Sequence, residues 1–220
     1  MPNYVKTNIA FEGSKRTIDY LRAFMTSDKS AFDFEKLLPC PKELRDVDAG
    51  YSETFAVKCA KAAENNELPT FYEESSWEKR TMAFEDWVKL GKKYLHNLKK
   101  YNAQTWYDWC IDNWGTKWNA LEPVWLDDTH VTFETAWSYA DPILRKLSRK
   151  YPSLKIYVDF ADEDLGRNCG HAEYCAAEDI AMLDRYHDYK FACDVWGCDP
   201  DDILEEGEEL GIRTGKISIP

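Results

Sequence analysis

The chain has 220 residues, 44% hydrophobic and 15% aromatic, which supplies a sizeable core and excludes disorder over most of its length. A net charge of −12, from 28 Lys and Arg against 40 Asp and Glu, argues against nucleic acid and anionic membranes as partners. No run approaches the ~20 apolar residues of a membrane span, no secretory leader is visible, and seven irregularly spaced cysteines read as free thiols, so a cytoplasmic protein is expected.

Residues 4 to 12 carry β-branched and aromatic side chains and stop at Gly13, which predicts a first strand. Ser14 can cap a helix over 15 to 26, where Ile18, Leu21, Arg22 and Met25 recur at helical spacing. Phe32, Phe34 and Leu37 predict a short second strand, closed by Pro39 and Pro41. Residues 42 to 80 are polar, with weak helical periodicity near 52 to 64. They open an insertion that runs to about residue 120.

Within that insertion Phe84, Trp87, Val88, Gly91, Leu95 and Leu98 predict an amphipathic helix. Lys89, Lys92, Lys93, Lys99 and Lys100 form its wet, basic side. Trp106, Trp109, Cys110 and Trp114 predict another helix, ended at Gly115. Residues 123 to 137 read as a hairpin turning at Asp127 and Asp128. Asp141 and Pro142 open a helix with Ile143, Leu144, Leu147 and Tyr151 on one face. Residues 154 to 160 alternate apolar and polar and predict a strand, with 169 to 177 as its antiparallel return. From Asp194 to Glu209 there are eight acids and no Lys or Arg, which reads as a solvated acidic segment over 194–220. The order of elements predicts one α+β domain over 1–193. It is a ferredoxin-like split β-α-β sandwich, an antiparallel sheet with helices on one face, carrying a helical insertion.

Two aromatic patches stand out: Trp114-Gly115-Thr116-Lys117-Trp118 and Thr135-Ala136-Trp137-Ser138. Together with the start Met1-Pro2-Asn3-Tyr4, Asn8 and the strand at 154 to 160, they resemble the YubB-type ferredoxin-like family of phage and plasmid proteins. The resemblance covers roughly residues 1 to 175. It implies a ferredoxin-like fold without an iron–sulfur cluster and a mobile-element origin, and it implies no activity. The chain departs from the pattern at Tyr4, where Trp is expected, and at Asn119, where an acid is expected.

The patches admit two readings. In one, Trp114, Trp118 and Trp137 are stacking walls of a pocket for a planar, nucleotide-like ligand, with Thr116, Lys117, Thr135 and Ser138 as polar contacts. In the other, which is preferred, they are a packed corner where the insertion rejoins the sheet. Either way the two patches are expected to meet.

Cys169, His171, Cys175, His187, Cys193 and Cys198 offer soft ligands, but no C-x-x-C pair organises them for zinc, and no cofactor is expected. Asp159, Asp162, Glu163 and Asp164 read as a solvated turn and lack the spacing of a calcium loop. The basic helix face is expected to balance the acidic segment. No G-x-S-x-G, P-loop, G-x-G-x-x-G or H-E-x-x-H motif occurs, so no enzyme class is indicated. The expected function is that of a non-enzymatic accessory protein engaging a host protein with a basic surface. A small-molecule binder is the alternative, and a hydrolase built on His130 is the weakest.

Overall fold

The structure, a computed structural model, describes residues 3–65, 69–75, 77–175, 178–185 and 187–199. The first elements are β1 (Tyr4–Glu12), α1 (Lys15–Met25) and α2 (Phe34–Leu37). There follow α3 (Lys42–Arg45), α4 (Tyr51–Ala63), α5 (Thr70–Glu74), α6 (Glu78–Thr81), α7 (Phe84–Tyr101) and α8 (Trp106–Trp114). The chain continues with β2 (Leu121–Trp125), β3 (His130–Ala136), α9 (Asp141–Lys150), β4 (Lys155–Asp162), β5 (Gly170–Cys175), β6 (Glu178–Asp184) and α10 (Tyr189–Trp196). It divides into two compact units. One joins residues up to 37 with those from 118 onward, and the other is residues 38–117.

In the first unit β1 alternates strictly, burying Val5, Thr7, Ile9 and Phe11. A strand with that pattern needs a layer on one side only, and it takes a central place in the sheet. The sheet has six strands in the order β2-β3-β1-β4-β5-β6, and every pairing is antiparallel. Without the β5–β6 hairpin, the succession β1-α1-β2-β3-α9-β4 in the spatial order 2-3-1-4 is the ferredoxin-like α+β arrangement. Ser14 accepts from the Thr17 amide at 3.2 Å and starts α1, which buries Ile18, Leu21 and Met25. Pro142 opens α9, which buries Ile143, Leu144 and Leu147 and ends in Arg149 and Lys150, basic residues suited to a helix C-terminus.

The segment 32–37 is a correction to the expected second strand. Asp33 accepts from the Glu35 amide at 3.0 Å, and Asn119 accepts from the Phe34 amide at 2.8 Å. These bonds start the short helix α2. Phe32 stacks on Phe133 at 5.3 Å and 14°, and Phe34 meets the same ring edge-on at 5.6 Å and 82°. The alternation of aromatic residues here serves packing onto a sheet rather than membership of one. Asn119 also donates to Asp33 at 2.7 Å. An acid at 119 has no N–H to give and sets two carboxylates against each other.

α10 lies on the face of the sheet opposite the core. Val158 and Phe160 are buried on the core side, so Ala161 points the other way, and Ala161 packs with Ala192 and Val195. The Asn8 side chain donates to the Val195 carbonyl at 2.9 Å, and the Trp196 indole donates to the Ala161 and Asp162 carbonyls at 3.1 Å each. The boundary expected at 193/194 therefore falls inside a docked helix. Acid content alone misread this stretch, because Val195 and Trp196 carry the packing. Residues 200–220, the bulk of the acidic segment, lie outside the described residues.

The second unit, 38–117 against the expected 42–120, is helical. Ala56, Cys59, Tyr72, Trp87 and Tyr94 form its core. At Gly91 of α7 the backbone of α4 comes so close that a Cβ would stand 2.0 Å from the Ala56 oxygen. The Trp87 indole donates to the Glu78 carbonyl at 3.1 Å and the Tyr94 hydroxyl to the Asp48 carbonyl at 2.7 Å. No helix among the described residues is long and apolar enough to cross a membrane.

Candidate functional site

Strand alternation that buries one face of the sheet presents the other. The open face carries Lys6, Asn8 and Glu12 from β1, Thr132 and Glu134 from β3, Lys155, Tyr157 and Asp159 from β4, and His171 and Glu173 from β5. α10 covers one end of it, with the Lys6 ammonium 5.4 Å from the Trp196 ring centre.

Pairing of Asp159 with His171 across β4 and β5 sets the centre of this face. The His171 ring bonds Asp159 through Nδ1 at 2.6 Å and Glu173 through Nε2 at 3.3 Å. Burial pulls the imidazole pKa down, but the two carboxylates outweigh it, and the net shift is upward from 6.5. Around this clamp, Thr132 donates to Asn8 at 2.6 Å. Glu12 accepts from Tyr157 at 2.7 Å and Lys155 at 3.1 Å, and these bonds hold its pKa below the ordinary value. Glu134 moves the other way, raised first by burial and then by Glu122 and Glu163, against Lys6. The face is polar, acid-rich and already hydrogen-bonded.

A pH profile follows from the clamp. Because the folded pKa of His171 is raised, the protonated ring stabilises the fold fully below about pH 6.5. That contribution is lost as pH rises through the higher native value. Urea midpoints of wild type and His171→Gln are expected to differ most near pH 6 and to converge only once the pH has passed the raised native pKa of His171. Parallel profiles across pH 5.5 to 8.5 would disprove the clamp.

The seven residues of the aromatic patches divide between the units. Trp114, Thr116 and Lys117 belong to the helical unit, and Trp118, Thr135, Trp137 and Ser138 to the sheet unit. Trp114 is 1% exposed, sits 5.9 Å from Trp109 edge-on, and donates its indole N–H to the Leu38 carbonyl at 2.9 Å. Thr116 is buried as well. Thr135 is buried on the core side, and its hydroxyl is spent on the Ser138 carbonyl at 2.8 Å. Trp118 and Trp137 are 36% and 47% exposed. Since Leu121 pairs with Glu134, residues three before the one and three after the other come to the same end of the sheet. There the Trp137 carbonyl accepts from Asn168 at 3.0 Å.

All seven cysteines are free thiols. Cys169 donates to the Arg185 carbonyl at 3.1 Å, and Cys198 lies against the Cys193 carbonyl at 3.7 Å. Among the described residues no three His, Cys, Asp or Glu side chains are grouped to hold a metal. Of the acids after β4, Asp162 accepts from Asn3 at 3.1 Å and from the Asp164 amide at 2.8 Å, which makes it the organiser of a turn.

His130 stands in the exposed β2–β3 turn, its Nδ1 2.9 Å from Asp127. Asp127 also accepts from the amides of Thr129 at 2.6 Å and His130 at 2.8 Å. These bonds, the Thr129 amide first, hold its carboxyl well below the ordinary range. The pair builds the turn.

On the basic helix, Lys89 pairs with Asp86 at 2.8 Å and Lys100 with Glu43 at 2.8 Å, so part of that face is balanced within the helical unit. Lys92, Lys93 and His96 line a shallow groove of about 340 Å³ with Glu43 and Asp46.

The Asp159–His171–Glu173 clamp escaped the sequence, which grouped His171 with the cysteines. The signal was the hairpin itself, since a turn centred near residue 165 sets 159 opposite 171.

The family model described as the ferredoxin-like domain in Api92-like protein matches residues 99–209. Among solved structures, a crystal structure of the protein api92 from Yersinia pseudotuberculosis aligns with 10% identity and a TM-score of 0.45, covering 83% of this chain and 97% of that one. No curated protein matches the chain.

Proposed function

The chain belongs to the family of ferredoxin-like domains in Api92-like proteins, and from that premise we propose that it is a non-enzymatic binding protein that engages a basic surface of a protein partner. The supporting observation is the open sheet face. Glu12, Glu134, Asp159 and Glu173 stand on neighbouring strands, and α10, packed on the same face, leads directly into the acid-rich stretch that ends at Glu209. Charge of one sign on a fixed platform speeds encounter with an opposite surface and selects against acidic partners. The resemblance seen in the sequence supports a mobile-element origin, and on that reading the partner is a host protein of the cytoplasm.

The test uses full-length protein carrying Glu12→Gln, Glu134→Gln, Asp159→Asn and Glu173→Gln, beside a truncation after Asp199 that keeps the docked helix. Both are compared with wild type for capture of host proteins at low and high salt. Each should lose the salt-sensitive basic partner, by about tenfold or more for the fourfold variant, since rim charges contribute mainly to encounter and specificity. Equal capture by wild type and the fourfold variant disproves the reading.

A further inference from the structure

We propose that the helical unit holds a binding site for a small organic amine, an ammonium group carried on an apolar or aromatic body, in a cavity of about 490 Å³ beside α4, α5 and α6. Phe55 of α4 and Phe71 of α5 meet edge-to-face at 5.5 Å and 89° and form ring walls of this space. The hydroxyls of Thr54 and Ser75 add polar contacts, and Tyr51 lies at the rim, in edge contact with Trp77 at 6.5 Å. Both of these rings are more than half exposed.

The group that selects the ligand is Glu78. Its residue is only 8% exposed, yet it lines the cavity. Its main chain is fixed, because its carbonyl accepts from the Trp87 indole at 3.1 Å, the Thr81 hydroxyl at 2.9 Å and the Met82 amide at 3.1 Å. Its carboxylate is another matter. Among the described side chains no donor reaches it, and the nearby cation of the lining, Lys58, forms no ion pair with it. Among the described residues, the buried side-chain atoms left without a partner are those of Thr7, Thr105 and Ser148 and not those of Glu78, so its carboxylate opens to the cavity it lines, where a cation can reach it. The charge is felt next door, where burial first and Glu78 second push the Cys59 thiol up to about 11.

An ammonium placed in the cavity meets Glu78 as a charge-assisted hydrogen-bond partner. Ring faces of Phe and Tyr attract the same cation, and their apolar area takes the body of the ligand. An anion of similar size faces Glu74 and Glu78 together, so the lining favours a cation. The volume fits a molecule of drug-fragment size rather than a peptide or nucleic acid.

The experiment titrates full-length protein with 2-phenylethylamine and, separately, with 2-phenylethanol, which has the same ring and no ammonium. Calorimetry and the melting temperature are the readouts. The amine should bind saturably and raise the melting temperature, and the alcohol should not. Glu78→Gln should weaken the amine by about 10- to 100-fold, the range for losing a hydrogen bond to a charged group. Without ligand, the same variant should melt no lower than wild type, because among the described residues the bonds of Glu78 run through its main chain and not its carboxylate. Thr54→Trp, at an exposed position on the mouth, should block the amine without touching Glu78. Amine and alcohol binding alike, or a Glu78→Gln protein that holds the amine as tightly as wild type, overturns the proposal.

Discussion

Phe133→Ala is expected to destabilise the sheet unit by about 4 kcal/mol, within the range for deleting a buried aromatic ring. Phe133 is 1% exposed in a strand next to the central one, and it supports both Phe32 and Phe34. Its removal loses the transfer energy of the ring. It also leaves a void beneath α2, which is held in place by Asn119 and cannot settle freely. Thr132→Ala, the adjacent position on the open face, removes one hydrogen bond to Asn8 and should cost only about 1 kcal/mol. Urea denaturation followed by Trp fluorescence compares the two. If Thr132→Ala proves the costlier substitution, the assignment of faces in the sheet is inverted.

Gly91→Ala is expected to cost about 3 kcal/mol in the helical unit, at the upper end of overpacking effects. On an isolated helix the same change is favourable by about 1 kcal/mol, because glycine is a poor helix former. The sign reverses here because the added methyl meets main chain, with Ala56 oxygen at 2.0 Å and its carbonyl carbon at 2.5 Å. A side chain can rotate away from such a contact; a helix backbone must translate. α4 and α7 then separate, and the packing of Phe55 on Trp87, 5.0 Å apart, goes with them. Far-UV circular dichroism should show a lower denaturation midpoint. A midpoint at or above that of wild type would mean the two helices are not in register at Gly91.

Period-two patterning was legible wherever one face of a strand is wet, as in β1 and β4, and period-three-to-four patterning revealed α1, α7 and α9. Residues 32–37 misled because alternation is a necessary mark of a half-buried strand and not a sufficient one. What decides α2 is Asn119, 85 positions from Phe34. Trp114 stayed open between two readings for a similar reason. Composition shows that an indole is present, but not whether its N–H finds a carbonyl such as that of Leu38 inside the protein. α10 was obscured by its neighbours, since the acids that follow it dominate any window placed over it. Glu78 was invisible in a polar stretch, where nothing in the local sequence marks one acid among many as buried.

The central position of β1 shapes how the protein is made. The strand leaves the ribosome well ahead of its partners, since Thr132, which bonds to Asn8, is 124 positions behind it. At ~5–20 residues per second the strand waits about 6–25 s for its neighbour β3, and longer for β4. During that interval residues 38–117 emerge whole and can close their own helical core, since helical units with mostly local contacts fold in microseconds to milliseconds. The nascent chain thus carries a finished helical unit and an unpaired, half-apolar first strand at the same time. Holding that strand apart from other chains until β3 and β4 arrive is the hazard of its synthesis.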